Sequence, residues 1–151
     1  MNAAVAYEPL RLIAEDVEDL KLIAAALQDA VTRIGDIRYE AAGRRLTIAL
    51  NRFRWEADGD RGERRGERVR TALQLGGVLS VKARKLRQGA PSAVLVLLDI
   101  GFELGEPPGG VVAFVFAGGG DLRCEVECID AALADVSDAW PARRTPEHDQ
   151  A

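Results

Sequence analysis

Histidine, cysteine and lysine are nearly missing from this chain. Its 151 residues hold one histidine, His148, two cysteines and three lysines. That histidine lies in Pro141 to Ala151, a polar stretch with two prolines that is expected to be a tail. Ser-His-Asp and Cys-His catalysis are therefore excluded. The two cysteines, Cys124 and Cys128, sit about 13 Å apart if they share one strand at ~3.3 Å per residue. A disulfide requires less than about 7 Å between Cα atoms, so the pair reads as buried structural cysteines. A zinc site wants four N, S or O ligands, and no such set accompanies them. Neither metal nor cofactor is expected. No apolar run approaches the roughly 20 residues that span a bilayer, so no membrane contact is expected. The N-terminus lacks the charged start and apolar stretch of a signal peptide. Together with the scarce cysteine, this predicts a reducing cytoplasm.

Arginine is abundant, and its placement is uneven. Arg44 to Arg87 holds thirteen of the twenty basic residues and five acids, a local charge of +8. The other seven bases and nineteen acids make −12, which leaves the chain at −4 with a pI near 5.1. Such polarity can steer a partner.

The hydrophobic pattern predicts a single domain over residues 8–140, with 1–7 and 141–151 as flexible tails. The expected fold is α+β: a mostly antiparallel sheet or partly closed barrel of about seven strands, with an N-terminal helix and a C-terminal capping helix. Leu10, Leu12 and Ile13 suggest a short first strand. Asp16 reads as a helix N-cap ahead of Leu20, Ile23, Ala24, Leu27 and Val31 at helical spacing, with Gly35 as the stop. Alternation of period two follows from Ile37 to Cys128. Gly76-Gly77 and Gly118 to Gly120 mark turns. The alternation changes phase after Asn51, which predicts a bulge there that turns Phe53 and Trp55 to one face and Arg52 and Arg54 to the other. Ile129, Ala132, Leu133, Val136 and Trp140 return to helical spacing before Pro141. Short connections favour antiparallel pairing. Strands closed by a final helix are similar in architecture to a pleckstrin-homology-like barrel.

Two segments carry a family likeness: Leu50-Asn51-Arg52-Phe53-Arg54-Trp55-Glu56, and Phe116 to Ile129 with its Gly-Gly-Gly-Asp-Leu-Arg-Cys-Glu-Val-Glu-Cys run. With Leu27-Gln28-Asp29-Ala30-Val31 they resemble a bacterial family termed domain of unknown function 2948. The resemblance spans roughly Leu10 to Trp140. It implies a single-domain bacterial protein, and it brings no activity, cofactor or catalytic residue.

The candidate site is a basic face: Arg52, Arg54, Arg70, Lys82, Arg84 and Lys85, with Phe53 and Trp55 as stacking or anchoring aromatics. The tandem Arg-Gly-Glu-Arg of Arg61 to Arg68 reads as a flexible hairpin connection, because Ala57 to Arg68 carries four arginines and four acids. The leading expectation is a non-catalytic module that binds a protein partner or a second copy of itself through that face. A nucleic-acid surface is the alternative, since phosphates need clustered arginine or lysine and bases can stack on Phe53 and Trp55. A solvated face whose arginines pair with neighbouring acids is the simpler explanation of the same residues. An enzyme would have to rely on Glu125 or Glu127, which share a strand face with Asp121 and Arg123, or on Asn51.

Overall fold

A computed structural model describes residues 7–55 and 66–141. The order of elements is β1 (Arg11–Ala14), α1 (Val17–Ala26), β2 (Val31–Arg33), a 3-10 turn (Ile34–Asp36), β3 (Ile37–Glu40), β4 (Arg45–Phe53), β5 (Glu67–Leu75), β6 (Val78–Arg84), β7 (Val94–Leu104), β8 (Gly110–Phe116), β9 (Asp121–Val126), β10 (Ala131–Asp135) and β11 (Trp140–Pro141). The strands form one antiparallel sheet in the order β1-β10-β5-β4-β2-β7-β8-β9-β6. β3 adds to β4, and β11 adds to β5. The sheet has two ends, so it is not a closed barrel.

Its inner face and α1 enclose the core. Leu46, Ile48 and Leu50 of β4, Leu73 and Leu75 of β5, Phe114 and Phe116 of β8, and Leu20, Ile23 and Leu27 of the helical segment are all buried there. Each large apolar side chain taken from water contributes about 1.5–3 kcal/mol. Helix α1 starts as its sequence predicts. The Asp16 carboxylate accepts the Asp19 backbone N–H at 2.8 Å, and Glu18 and Asp19 occupy the first turn. Asp16→Ala is expected to lose about 1 kcal/mol in urea denaturation, because one of the first-turn donors then lacks its partner.

The helix ends at Ala26, well before Gly35. Asp29 takes a left-handed φ of 63° and donates its backbone N–H to Leu97 O at 2.8 Å. That bond turns the chain into β2, so Val31 pairs with Asn51 and Val96 and does not extend the helix.

The C-terminal helix is not formed, and the likeness to a pleckstrin-homology barrel goes with it. Residues 131–135 are a strand between β1 and β5, with Ala131, Leu133 and Asp135 buried at period two. The alanines favour helix by intrinsic propensity. Here two waiting strand edges and a buried partner for Asp135 override it. Val136 and Trp140, assigned to an apolar helix face, are exposed. Eleven strands replace the seven expected from Ile37 onward because the short first strand β1 joins the same sheet, β10 stands where the helix was expected, and the short β2 and β11 add to it.

No bulge occurs at Asn51. β4 and β5 pair without a break from Leu46↔Leu75 to Phe53↔Arg68. Register shifts fall instead between Leu97 and Asp99 of β7 and between Val78 and Ser80 of β6. At the first, Leu97 points inward and Leu98 is exposed, so the period-two alternation changes phase within β7. The two glycine turns form as read, with Gly77, Gly118 and Gly119 at positive φ.

The fold runs slightly past the expected boundaries. The Tyr7 hydroxyl donates to Asp135 at 2.6 Å, and Pro141 pairs with Glu67. The other tail residues, and Ala57 to Arg65 of the repeat region, lie outside the described residues; Glu67 and Arg68 open β5.

Candidate functional site

The expected basic face is divided by the fold. Because β4 keeps its phase, Arg52 follows Leu46, Ile48 and Leu50 inward and is 0% exposed. Its Nε and Nη2 each donate to Asp135 at 2.8 Å, a two-pronged pair joining β4 to β10 across β5. Asp135 also accepts Tyr7 O–H at 2.6 Å and Leu10 N–H at 2.8 Å. Burial pushes the Asp135 carboxyl toward its neutral form. The bonds from Arg52, Tyr7 and Leu10 outweigh it and hold the group below the usual carboxylate range. Burial, then the bond to Asp135, raises the Tyr7 phenol well above its ordinary value. Arg52 is thus a structural charge, which its one-dimensional neighbours, alternating basic and aromatic, did not reveal.

Phe53 is also 0% exposed. It meets Trp55 edge-on with centroids 4.5 Å apart, and Arg68 lies over its ring at 6.0 Å. A base cannot reach its faces. Trp55 is half-buried and donates Nε1–H to Gln28 O at 3.3 Å. Arg54 pairs with Glu67 and lies over the Tyr7 ring at 4.9 Å. Arg70 reaches Asp36 at 3.3 Å and Asn51 Oδ1 at 3.1 Å, so Asn51 serves as an acceptor between strands.

Most of the remaining charge is matched across the fold. Arg44 pairs with Glu127, Arg45 with Glu40 at 3.4 Å, and Arg84 with Asp121 at 2.5 Å. Asp135, Asp36, Glu127, Glu40 and Asp121 all come from outside Arg44 to Arg87. The charge polarity along the chain is therefore largely cancelled in space.

A cluster of exposed cations lies along β6 and the loop after it. Lys82 is exposed and sits directly across from Arg123, whose guanidinium is held by Glu103 at 2.8 Å. Lys85 follows at φ 57°; Asp121 is held by Arg84, whose hydrogen bond above all, then the charges of Arg84, Arg123 and Lys85, keep that carboxyl below its ordinary range against its partial burial. Lys82, Arg87 and Arg38 of β3 make no ion pair among the described residues. These cations border an apolar slot of about 330 Å³ where β3 faces β6. Ile37, Tyr39, Leu46, Val81, Ala83 and Leu122 line it. β3 pairs only with β4, and β6 only with β9. Across the gap the Tyr39 hydroxyl donates to Val78 O at 2.8 Å. A side chain stands here in place of a backbone ladder, so the gap exceeds one strand spacing of ~4.8 Å. Sequence reading identified Lys82, Arg84 and Lys85 but missed this slot, because its two walls are some forty residues apart in the chain.

Glu125 and Glu127 are both exposed, and Glu127 is occupied by Arg44. No group of three or more metal-ligating side chains occurs among the described residues, and no helix there is long and apolar enough to cross a membrane. Cys124 and Cys128 are unpaired; burial pushes the Cys124 thiol up to about 12. At pH 8 the native protein is expected to leave Cys124 unmodified by iodoacetamide, and urea to expose it; alkylation of native Cys124 at the unfolded rate would contradict its burial.

No curated protein and no solved structure matches the chain. A family model, protein of unknown function DUF2948, matches residues 10–148. The chain belongs to that family, as the Asn51 to Trp55 and Phe116 to Ile129 segments implied.

Proposed function

We propose that this protein is a non-catalytic, cytoplasmic interaction module that docks a protein partner through the cationic flank of β6. The observation that carries the reading is the set of exposed cations, Lys82, Lys85 and Arg87, clustered on and just after β6 beside an apolar slot. An apolar centre with a charged rim is the usual composition of a protein-binding patch. A nucleic-acid surface draws less support, because Arg52, Arg54, Arg70 and Arg84 are each paired with an acid and Phe53 is enclosed.

Affinity purification from the native host tests this with the wild type beside Lys82→Glu/Lys85→Glu/Arg87→Glu, each with and without nuclease. The expected result is a protein that resists nuclease and is lost with the charge-reversed bait. Equal recovery on both baits, or recovery of nuclease-sensitive material alone, would overturn the reading.

A further inference from the structure

We infer that the slot between β3 and β6 receives an extended peptide strand of alternating apolar and acidic residues; this rests on the protein-docking reading above and names the partner's chemistry. Three features of the seam lead there.

The first is backbone. Beyond Val78, whose N–H and C=O are taken by Arg44 O and Tyr39, β6 makes no backbone hydrogen bond toward β3, and β3 makes none toward β6. Both strands therefore offer an unused edge, which an added strand can satisfy.

The second is side-chain phase. Val81 and Ala83 point into the slot, while Lys82, between them, points to solvent. On the opposite wall Ile37 and Tyr39 point in, and Arg38, between them, points out. A strand laid in the gap would send alternate side chains into the apolar slot. Its other side chains would stand beside Arg38 on one side and Lys82 on the other, at cross-strand distance. At the end of β6, Lys85 and Arg87 flank Leu86, which also lines the slot.

The third is charge. Arg38 sits opposite Thr47 and Lys82 opposite Arg123, so neither has an acid across its own strand pair. The outward residues of the guest are therefore carboxylates. At about 330 Å³ the slot has room for roughly eleven water volumes of ~30 Å³, enough for more than one aliphatic side chain. The described residues offer no occupant of their own for it.

Fluorescence anisotropy with a labelled peptide of alternating glutamate and valine tests the inference. The wild type is expected to bind it, more weakly as salt rises, and to leave a lysine–valine peptide unbound. Lys82→Glu/Arg87→Glu is expected to weaken binding by at least about tenfold, since the cross-strand attraction at Lys82 and the attraction at the end of the slot by Arg87 both become repulsions. Both positions are exposed, so an unchanged urea midpoint shows that the variant is folded. The inference is overturned by no binding, by equal binding of the lysine–valine peptide, or by affinity that ignores the charge reversal. Displacement by a uridine oligonucleotide would assign the rim to polyanions instead. Concentration-dependent dimerisation abolished by the same reversal would assign the slot to a second copy. If the peptide fails while the host purification still yields a partner lost with Lys82, Lys85 and Arg87, only the strand-insertion inference falls.

Discussion

Asp135→Ala is expected to destabilise the protein by about 3–5 kcal/mol, read from urea denaturation. The substitution takes the two-pronged carboxylate away from the buried Arg52 guanidinium, and it removes the acceptor of Tyr7 O–H and Leu10 N–H. Arg52→Ala strands the carboxylate in the same way. Replacing both, as Arg52→Met with Asp135→Leu, is expected to cost less than the two single losses added together, because no lone charge remains. A loss below about 1 kcal/mol for Asp135→Ala would contradict the pairing. The pH dependence has a definite sign. The folded carboxyl titrates below its unfolded value of ~3.9. Its contribution is present above that value and drains away as pH falls through the lower folded one. Acid destabilisation below about pH 4 should therefore be shallower in Asp135→Asn, measured as urea midpoint against pH. The same geometry makes Arg52→Ala unsuitable as a test of binding: reduced retention of any ligand would follow from unfolding.

Phe53→Ala is expected to cost about 3–5 kcal/mol and to leave the affinity of the folded protein for its peptide unchanged. The ring is fully enclosed, and Gly66 owes its identity to it. A Cβ on Gly66 would stand 1.9 Å from Phe53 Cε1. Gly66→Ala is therefore expected to lose about 1–3 kcal/mol through overpacking. If Phe53→Ala kept full stability and instead abolished nucleic-acid retention, the ring would be a stacking surface after all.

Local signals were legible in the sequence where one short segment decides the outcome. The Asp16 cap, the Gly76-Gly77 and Gly118 to Gly120 turns, and the alternation of β5 and β9 each depend on neighbours within a few residues. What escaped depends on partners far along the chain. Arg52 reads as a surface residue because its counter-ion, Asp135, is 83 positions away. Asp135 reads as the polar side of a helix because the edges of β1 and β5 that capture its segment are invisible locally. The change of phase after Asn51 looks like a bulge only if an inward arginine is disallowed. The site divides in the same way. Exposed Lys82 follows from alternation, whereas the slot it borders exists only once β3 is brought up to β6.

Backbone hydrogen exchange with and without saturating glutamate–valine peptide reads the docking claim most directly. An inserted strand would form hydrogen bonds with outer-edge amides of β3 and β6, so slowed exchange is expected within Ile37–Glu40 and Ser80–Arg84, with little change in α1 or β5. Unchanged exchange on both strands in the saturated complex, or protection confined to another surface, would contradict it.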